Sequence, residues 1–166
     1  LEICREKDLK PGPLNGGPEV ELPLEIVPGI PALAAAASLL GAPLMHDFAA
    51  ISLSDLLTPW EIIEKRVRAA GAADFVIVLY NPKSSKRDWQ LSRVQEILLE
   101  LRPSSTPVGI VSRAMRQGQT VYRTTLSQMA DQDIDMQTII IIGNSQTYNF
   151  ADFLITPRGY LQKYEL

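Results

Sequence analysis

Two unbroken apolar runs constrain this chain more than any other feature: Phe75 to Leu79, and the four isoleucines that follow Thr138 and end at Ile142. Both are rich in β-branched residues and lack the polar alternation of a strand with one wet face. Each therefore predicts a strand, the first of the kind covered on both sides and the second the most apolar of the chain. Strands of that kind need helices or a second sheet to cover them.

The segments around these runs supply the covers. Pro31 suits the first turn of a helix, Ala32 to Leu40 is strong helix former, and Gly41 ends it with Pro43 just beyond. Ala49 to Leu53 predicts a strand. Thr58-Pro59-Trp60-Glu61 predicts a helix start, with a capping Thr, a proline at the first helical position and an acid in the first turn. Ile62, Ile63, Val67 and Ala70 continue it at helical spacing, and Gly71 is expected to close it. Asp88 to Leu101 predicts a second amphipathic helix, with Leu91, Val94, Ile97, Leu98 and Leu101 on one stripe. Pro107 to Val111 and Thr120 to Thr124 predict a hairpin across the turn Arg116-Gln117-Gly118-Gln119. Leu126 to Ala130 predicts a short helix, and Tyr148 to Tyr160 a small hairpin or edge segment. Alternating strands and helices define an α/β layered domain, and the hairpin makes its sheet mixed.

The first twenty-odd residues have no such period. Pro11, Gly12, Pro13, Asn15, Gly16, Gly17 and Pro18 predict a surface linker. Leu24 to Val27 is a short apolar run stopped by Pro28-Gly29 and predicts a buried strand.

Composition narrows the function classes. The 166 residues are 46% hydrophobic and 21% charged, ordinary for a globular domain with a real core. A net charge of −3 argues against general nucleic-acid binding, which needs clustered cations. Cys4 is the single cysteine, so no internal disulfide and no paired-thiolate zinc site forms. Apolar runs are too short for a membrane span, and the start lacks a signal-peptide pattern. The expectation is a cytoplasmic protein with no membrane and no nucleic-acid partner, and no metal site. The chain begins Leu1-Glu2-Ile3-Cys4 without an initiator Met, which suggests processing or a start partway through a gene.

The common catalytic motifs are missing. There is no G-x-x-x-x-G-K-[ST], no G-x-G-x-x-G after a strand and no G-x-S-x-G elbow. His46, the single histidine, forms with Asp47 either an acid/base pair or a loop cap. Ser54-Asp55 follows a strand, where open α/β sheets bind ligands, but also suits a plain turn. Lys83, Lys86 and Arg87 form a basic loop, and Arg113, Arg116 and Arg123 lie near the hairpin. Each group reads as solvated charge or as a clamp for carboxylates, for which guanidinium is the better partner. Trp60 and Trp89 sit near helix starts and read as packing residues.

Three stretches carry a family resemblance. Val27-Pro28-Gly29-Ile30-Pro31-Ala32-Leu33 resembles the strand–Pro-Gly–helix element of the tetrapyrrole methylase family. Ser52-Leu53-Ser54-Asp55-Leu56-Leu57-Thr58-Pro59-Trp60 resembles a segment of the branch that methylates precorrin-3B at C-17. Leu79-Tyr80-Asn81-Pro82-Lys83-Ser84 is similar to the same branch, as are, in order, Trp89-Gln90-Leu91, Pro107 to Val111, Gly143 to Thr147 and Thr156 to Tyr160. The resemblance covers roughly Leu24 to Tyr160.

This resemblance implies a tetrapyrrole methylase fold, chiefly its C-terminal α/β domain with a mixed sheet flanked by helices. It implies an S-adenosylmethionine-dependent enzyme of cobalamin biosynthesis, usually a homodimer, whose substrate is a precorrin-type tetrapyrrole and whose methylation is coupled to ring contraction. The family's Gly-Pro-Gly and Gly-Asp-Pro loops are not in this sequence. Residues 1–30 are accordingly expected to be a linker and the end of a preceding domain, and residues 31–166 the connecting helix and C-terminal domain, a fragment inactive alone. Pro28, Gly29, Pro31, Ala32, Tyr80, Asn81, Thr124, Gly143 and Asn144 are implied on the donor side. Pro31 departs from the family's usual Thr or Ser and offers no hydroxyl. Ser54, Lys83, Arg87, Arg113 and Arg116 are candidates for the substrate side, and Asp55, Asp47 and His46 for acid or base. Two alternatives stand beside this reading: a diphthine synthase or rRNA methyltransferase on the same fold, or a domain that only binds or dimerises.

Overall fold

The computed structural model describes residues 2–84 and 88–159. It divides into two compact units, Leu1–Ile30 and Pro31–Leu166.

In the first unit, α1 (Glu2–Glu6) is followed by β1 (Pro11–Pro13) and β2 (Leu22–Leu24), which pair in parallel. The expected linker is therefore partly ordered. Proline's fixed φ suits an extended edge. Gly12 lets the chain fold onto Val20, whose Cγ2 lies 2.6 Å from where a Cβ would stand. The strand expected over Leu24 to Val27 stops at Leu24; Ile26 and Val27 are 86% and 75% exposed. An apolar run becomes a strand only beside a pairing edge, and β1 ends opposite Leu24.

The second unit is built on a five-stranded sheet. Its strands are β4 (Phe48–Ser52), β5 (Val76–Tyr80), β6 (Pro107–Ser112), β7 (Thr120–Thr125) and β8 (Thr138–Ile142), in the order β4-β5-β8-β6-β7. β4 and β5 are parallel and the other neighbours antiparallel, the mixed sheet the hairpin predicts. β5 and β8 lie inside the sheet, and their side chains alternate between two buried layers. Ile77, Leu79, Ile140 and Ile142 face α3 (Trp60–Ala72), α4 (Gln90–Leu99) and a 3₁₀ turn (Leu126–Asp131). Val76, Val78, Ile139 and Ile141 face α2 (Ala32–Leu40) and Leu154. The last belongs to a small second sheet: β10 (Phe153–Ile155) pairs with β3 (Gly41–Ala42) in parallel and with β9 (Tyr148–Phe150) in antiparallel.

Two glycines set the layer spacing. At Gly109 on β6 a Cβ would overlap Leu40 Cδ1, so α2 seats its fully buried Leu40 directly on the sheet. Gly71 does not close α3, which runs on to Ala72. It lies buried inside that helix, where a Cβ would come within 2.8–2.9 Å of Leu101 and Leu98. Close approach to the α4 region, rather than helix termination, is the reason for a glycine there. Thr58 makes no capping bond either, because Pro59 takes the N-cap position of α3. Among the described residues no helix is long and apolar enough to cross a membrane.

Candidate functional site

The strand register sorts the candidate residues onto two ends of the main sheet. Ser52 pairs with Tyr80, Leu79 with Ile140, and Ser112 with Thr138, so these residues share one end. Phe48 pairs with Val76, and Ile142 lies opposite Ile77 and Val108, so Asp47, Gly143 and Thr124 belong to the other. Four residues of β5 separate the two levels, about 13 Å at strand rise.

The Tyr80 end is a polar corner. β5 stops at Tyr80, whose hydroxyl accepts the Leu33 N–H at 3.2 Å. This bond satisfies one of the donors that a helix N-terminus leaves open. It brings Pro31, the N-cap of α2, and Ala32, its first residue, to the same corner. Asn81 follows in the left-handed region (φ 50°), which Asn tolerates better than most residues. Its Nδ2 donates to Ser52 Oγ at 3.0 Å, and the Ser54 N–H donates to the same oxygen at 3.2 Å. Leu53 N–H donates to the Tyr80 carbonyl, carrying the β4–β5 pairing past the strand end. Asp55 is half-buried, and its Oδ2 accepts from Gln90 Nε2 at 3.0 Å. Leu56 and Leu57 next to it are 81% and 97% exposed. Lys83 is half-buried in the loop after Asn81, while Arg87 lies outside the described residues.

Arg113 follows β6 at this same end, also in the left-handed region (φ 51°). Its guanidinium is already oriented: Nε donates to Gln137 Oε1 at 3.0 Å, and Nη2 lies 3.5 Å from Asp135 Oδ2. Asp135 Oδ1 in turn accepts from Thr138 Oγ1 and the Gln137 N–H. Arg116 is exposed in the hairpin loop.

The other end is closed by its own bonds. Gly143 and Asn144 are committed to the protein. The Gly143 carbonyl accepts from Arg102 Nη1 at 2.6 Å, and Asn144 is buried with Thr147 and Thr156 in a hydrogen-bonded set. Burial pushes the Arg102 guanidinium below its ordinary pKa, with the Asp74 carboxylate partly opposing it. Thr124 stands on the edge strand β7 at this end. His46 and Asp47 are exposed just before β4; His46 Nδ1 accepts the Asp47 N–H at 2.8 Å, and its distance to Asp47 Oδ2 is 3.9 Å. They do not meet Asp55. Pro28 and Gly29 lie exposed in the first unit, in chain without regular structure.

Sequence reasoning missed Gln90, Ser52, Asp135 and Gln137. Gln90 had a readable signal: four residues before Val94 and seven before Ile97, it is a polar residue on the apolar stripe of α4. The others are positioned only by pairing between distant strands. Among the described residues no group of His, Cys, Asp and Glu is arranged to hold a metal.

A layered mixed sheet flanked by helices, with a polar corner at the strand ends where open α/β sheets generally bind ligands, defines an α/β domain. The sequence profile of the tetrapyrrole (corrin/porphyrin) methylases matches residues 18–130, and the chain belongs to that family. It is 52% identical over 148 residues to a cobalt-factor III methyltransferase of Priestia megaterium, covering 89% of this chain and 27% of that protein. It is 50% identical over 142 residues to a probable cobalt-factor III C(17)-methyltransferase of Salmonella typhimurium, covering 86% and 59%. The chain thus spans less than two thirds of the length of these relatives. Among solved structures, the methyltransferase CobJ superposes with a TM-score of 0.75 at 39% identity, over 83% of this chain and 57% of that one. A uroporphyrin-III C-methyltransferase from Thermus thermophilus complexed with S-adenosyl homocysteine gives 0.53 at 25% identity, over 74% and 53%. The expected fold class holds: a tetrapyrrole methylase fold with a mixed sheet flanked by helices.

Proposed function

We propose that this chain provides one wall of the active site of an S-adenosylmethionine-dependent C-methyltransferase that acts at C-17 of a precorrin-type tetrapyrrole in cobalamin biosynthesis. The observation that carries the reading is the corner where Tyr80, Asn81, the start of α2 and the Ser52–Asp55 segment converge at one sheet end. The names of the relatives and the donor product in the Thermus structure support it. The protein works as a cytoplasmic homodimer in this reading, which light scattering on the purified protein tests.

The corner suits the methyl donor chemically. Its donor-side groups are small or neutral: Ala32, the Tyr80 hydroxyl and the Asn81 amide. The donor, when bound, supplies a methyl group already activated on sulfur. What remains for the chain is alignment and exclusion of water, and alignment alone can supply about 7–11 kcal/mol. Ser54, Lys83, Arg113 and Arg116 are the substrate-side groups, with the cations taking acetate and propionate carboxylates. Asp55 is the acid or base that fits this corner. His46 and Asp47, at the opposite sheet end, fit it less well. Residues 1–30 belong, in the same reading, to the end of a preceding domain that helps to hold the donor.

Incubation of the full-length protein with methyl-labelled S-adenosylmethionine and a precorrin-type substrate tests this directly. Label in the macrocycle together with S-adenosylhomocysteine is expected; recovery of both reactants unchanged overturns it. Calorimetry of the 166-residue chain beside the full-length protein tests the shared donor site, and tight donor binding by the chain alone overturns that part.

A further inference from the structure

We infer that Gln90 is a positioning residue for Asp55, an inference that rests on the methyltransferase reading above. Gln90 opens α4 and is 1% exposed, next to the buried Leu91 and on the stripe of Val94 and Ile97. An apolar side chain is what this position calls for. The amide instead spends one end on Asp55 Oδ2, at 3.0 Å, and leaves the other without a partner. Gln90 Oε1 is buried with no hydrogen bond among the described residues. A buried acceptor left unpaired is destabilising. The sequence therefore holds an amide where it weakens the core, and the one polar contact it gains is to a half-buried carboxylate on the candidate site.

The chemistry fits a neutral holder. An amide N–H orients a carboxylate through a hydrogen bond without forming an ion pair with it. A Lys or Arg in the same place would bind the carboxylate as an ion pair. The amide also reverses by rotation, presenting Oε1 to a protonated Asp55. In the present orientation the far end has no partner among the described residues, so the rotation breaks no second bond. Gln90 thus holds Asp55 in place both before and after a proton moves.

The test uses the full-length protein with Gln90→Met, Asp55→Asn and the double variant, each read for thermal midpoint, kcat and the KM for S-adenosylmethionine. Methionine keeps the volume and removes the donor. The expected result is a midpoint equal to or above that of the parent, kcat lower by about tenfold to a hundredfold, donor KM unchanged, and no further kcat loss when Gln90→Met is added to Asp55→Asn. Unchanged kcat in Gln90→Met overturns the inference, as does a lowered midpoint with losses that add to those of Asp55→Asn. Unchanged kcat in Asp55→Asn removes Asp55 from the chemistry and the inference with it. Absence of methyl transfer by the parent protein instead strikes the underlying reading.

Discussion

The Tyr80 hydroxyl accepts the Leu33 N–H at 3.2 Å, which ties the last residue of β5 to the first turn of α2. One bond thereby fixes the angle between two groups of the candidate donor site. Tyr80→Phe leaves that N–H without its acceptor while the ring packing stays. A single neutral hydrogen bond contributes about 0.5–1.5 kcal/mol. The denaturation midpoint should fall accordingly, and S-adenosylmethionine affinity of the full-length protein should weaken by up to about tenfold. Parent-like values of both would show that the bond does not hold the corner.

Arg113 is oriented before any ligand arrives, by Gln137 along its Nε edge and by Asp135 at Nη2. A charged hydrogen bond lost to alanine costs about 1.5–3 kcal/mol. Arg113→Ala should therefore weaken binding of a tetrapyrrole polycarboxylate by roughly tenfold or more, with donor affinity unchanged. Fluorescence titration with uroporphyrin, a stable polycarboxylate, reads the first and calorimetry the second. Equal losses would give Arg113 a structural role.

The layered sheet was legible because local pattern and tertiary role agree there. Phe75 to Leu79 announces double burial in its composition and Ile139 to Ile142 is the most apolar run; β5 and β8 are both covered on both faces, as is β6. Two features were misread because their cause is a partner distant in sequence. Gly71 has the look of a helix stop, yet it is small because Leu98 and Leu101 cross there. Ile26 and Val27 have the look of a strand, yet among the described residues no neighbouring strand extends far enough to pair with them. The corner itself was half legible. Tyr80, Asn81, Ser54 and Asp55 stood out at strand ends, while separation of His46, Asp47 and Gly143 from them depends on strand register, which a single sequence does not encode locally.

The contact between Gly109 and Leu40 should be the least tolerant in the second unit. An alanine Cβ would overlap Leu40 Cδ1 and stand 2.7 Å from Cδ2, and Leu40 is fully buried with nowhere to move. Overpacking of this kind costs about 1–3 kcal/mol. Gly71→Ala meets the tip of Leu101, 42% exposed and able to swing outward, and that of the buried Leu98 only at 2.9 Å. Alanine also favours a helix over glycine by about 1 kcal/mol. Urea denaturation should rank Gly109→Ala well below Gly71→Ala; the reverse order would mean that α2 shifts on the sheet more readily than α4 shifts on α3.

Arg102 holds three backbone segments with one guanidinium. Nη1 donates to the Gly143 carbonyl at 2.6 Å, and Nη2 to the carbonyls of Phe75 at 2.6 Å and Ala70 at 3.4 Å. Methionine in its place removes the desolvated charge but strands the Gly143 and Phe75 carbonyls, while that of Ala70 keeps the Phe75 N–H, and the stranded carbonyls should decide the outcome. A loss of about 2–4 kcal/mol is expected for Arg102→Met. Arg102→Lys should recover little, because a compact ammonium cannot span the fork. Equilibrium unfolding with unchanged m values checks both. Full stability of the lysine variant would show that charge alone suffices.

Glu64 gives the pH prediction. It lies between α3 and α4, 3.0 Å from Arg68 Nη2 and 3.3 Å from Arg93 Nη2. Burial pushes its pKa up, and the bonds and charges of the two arginines outweigh that push, leaving the carboxyl below its ordinary value. A carboxyl lowered on folding stabilises the protein fully above its unfolded pKa, about 4.3, and loses that contribution as pH falls through the folded value. Glu64→Gln should therefore unfold at a lower temperature than the parent near pH 7. The gap should narrow as pH drops below about 4 and close once both forms are neutral. The side chains are well solvated, so added salt should shrink the gap at pH 7 as well. A gap that stays constant from pH 7 to pH 3 would mean that Glu64 acts by shape and not by charge.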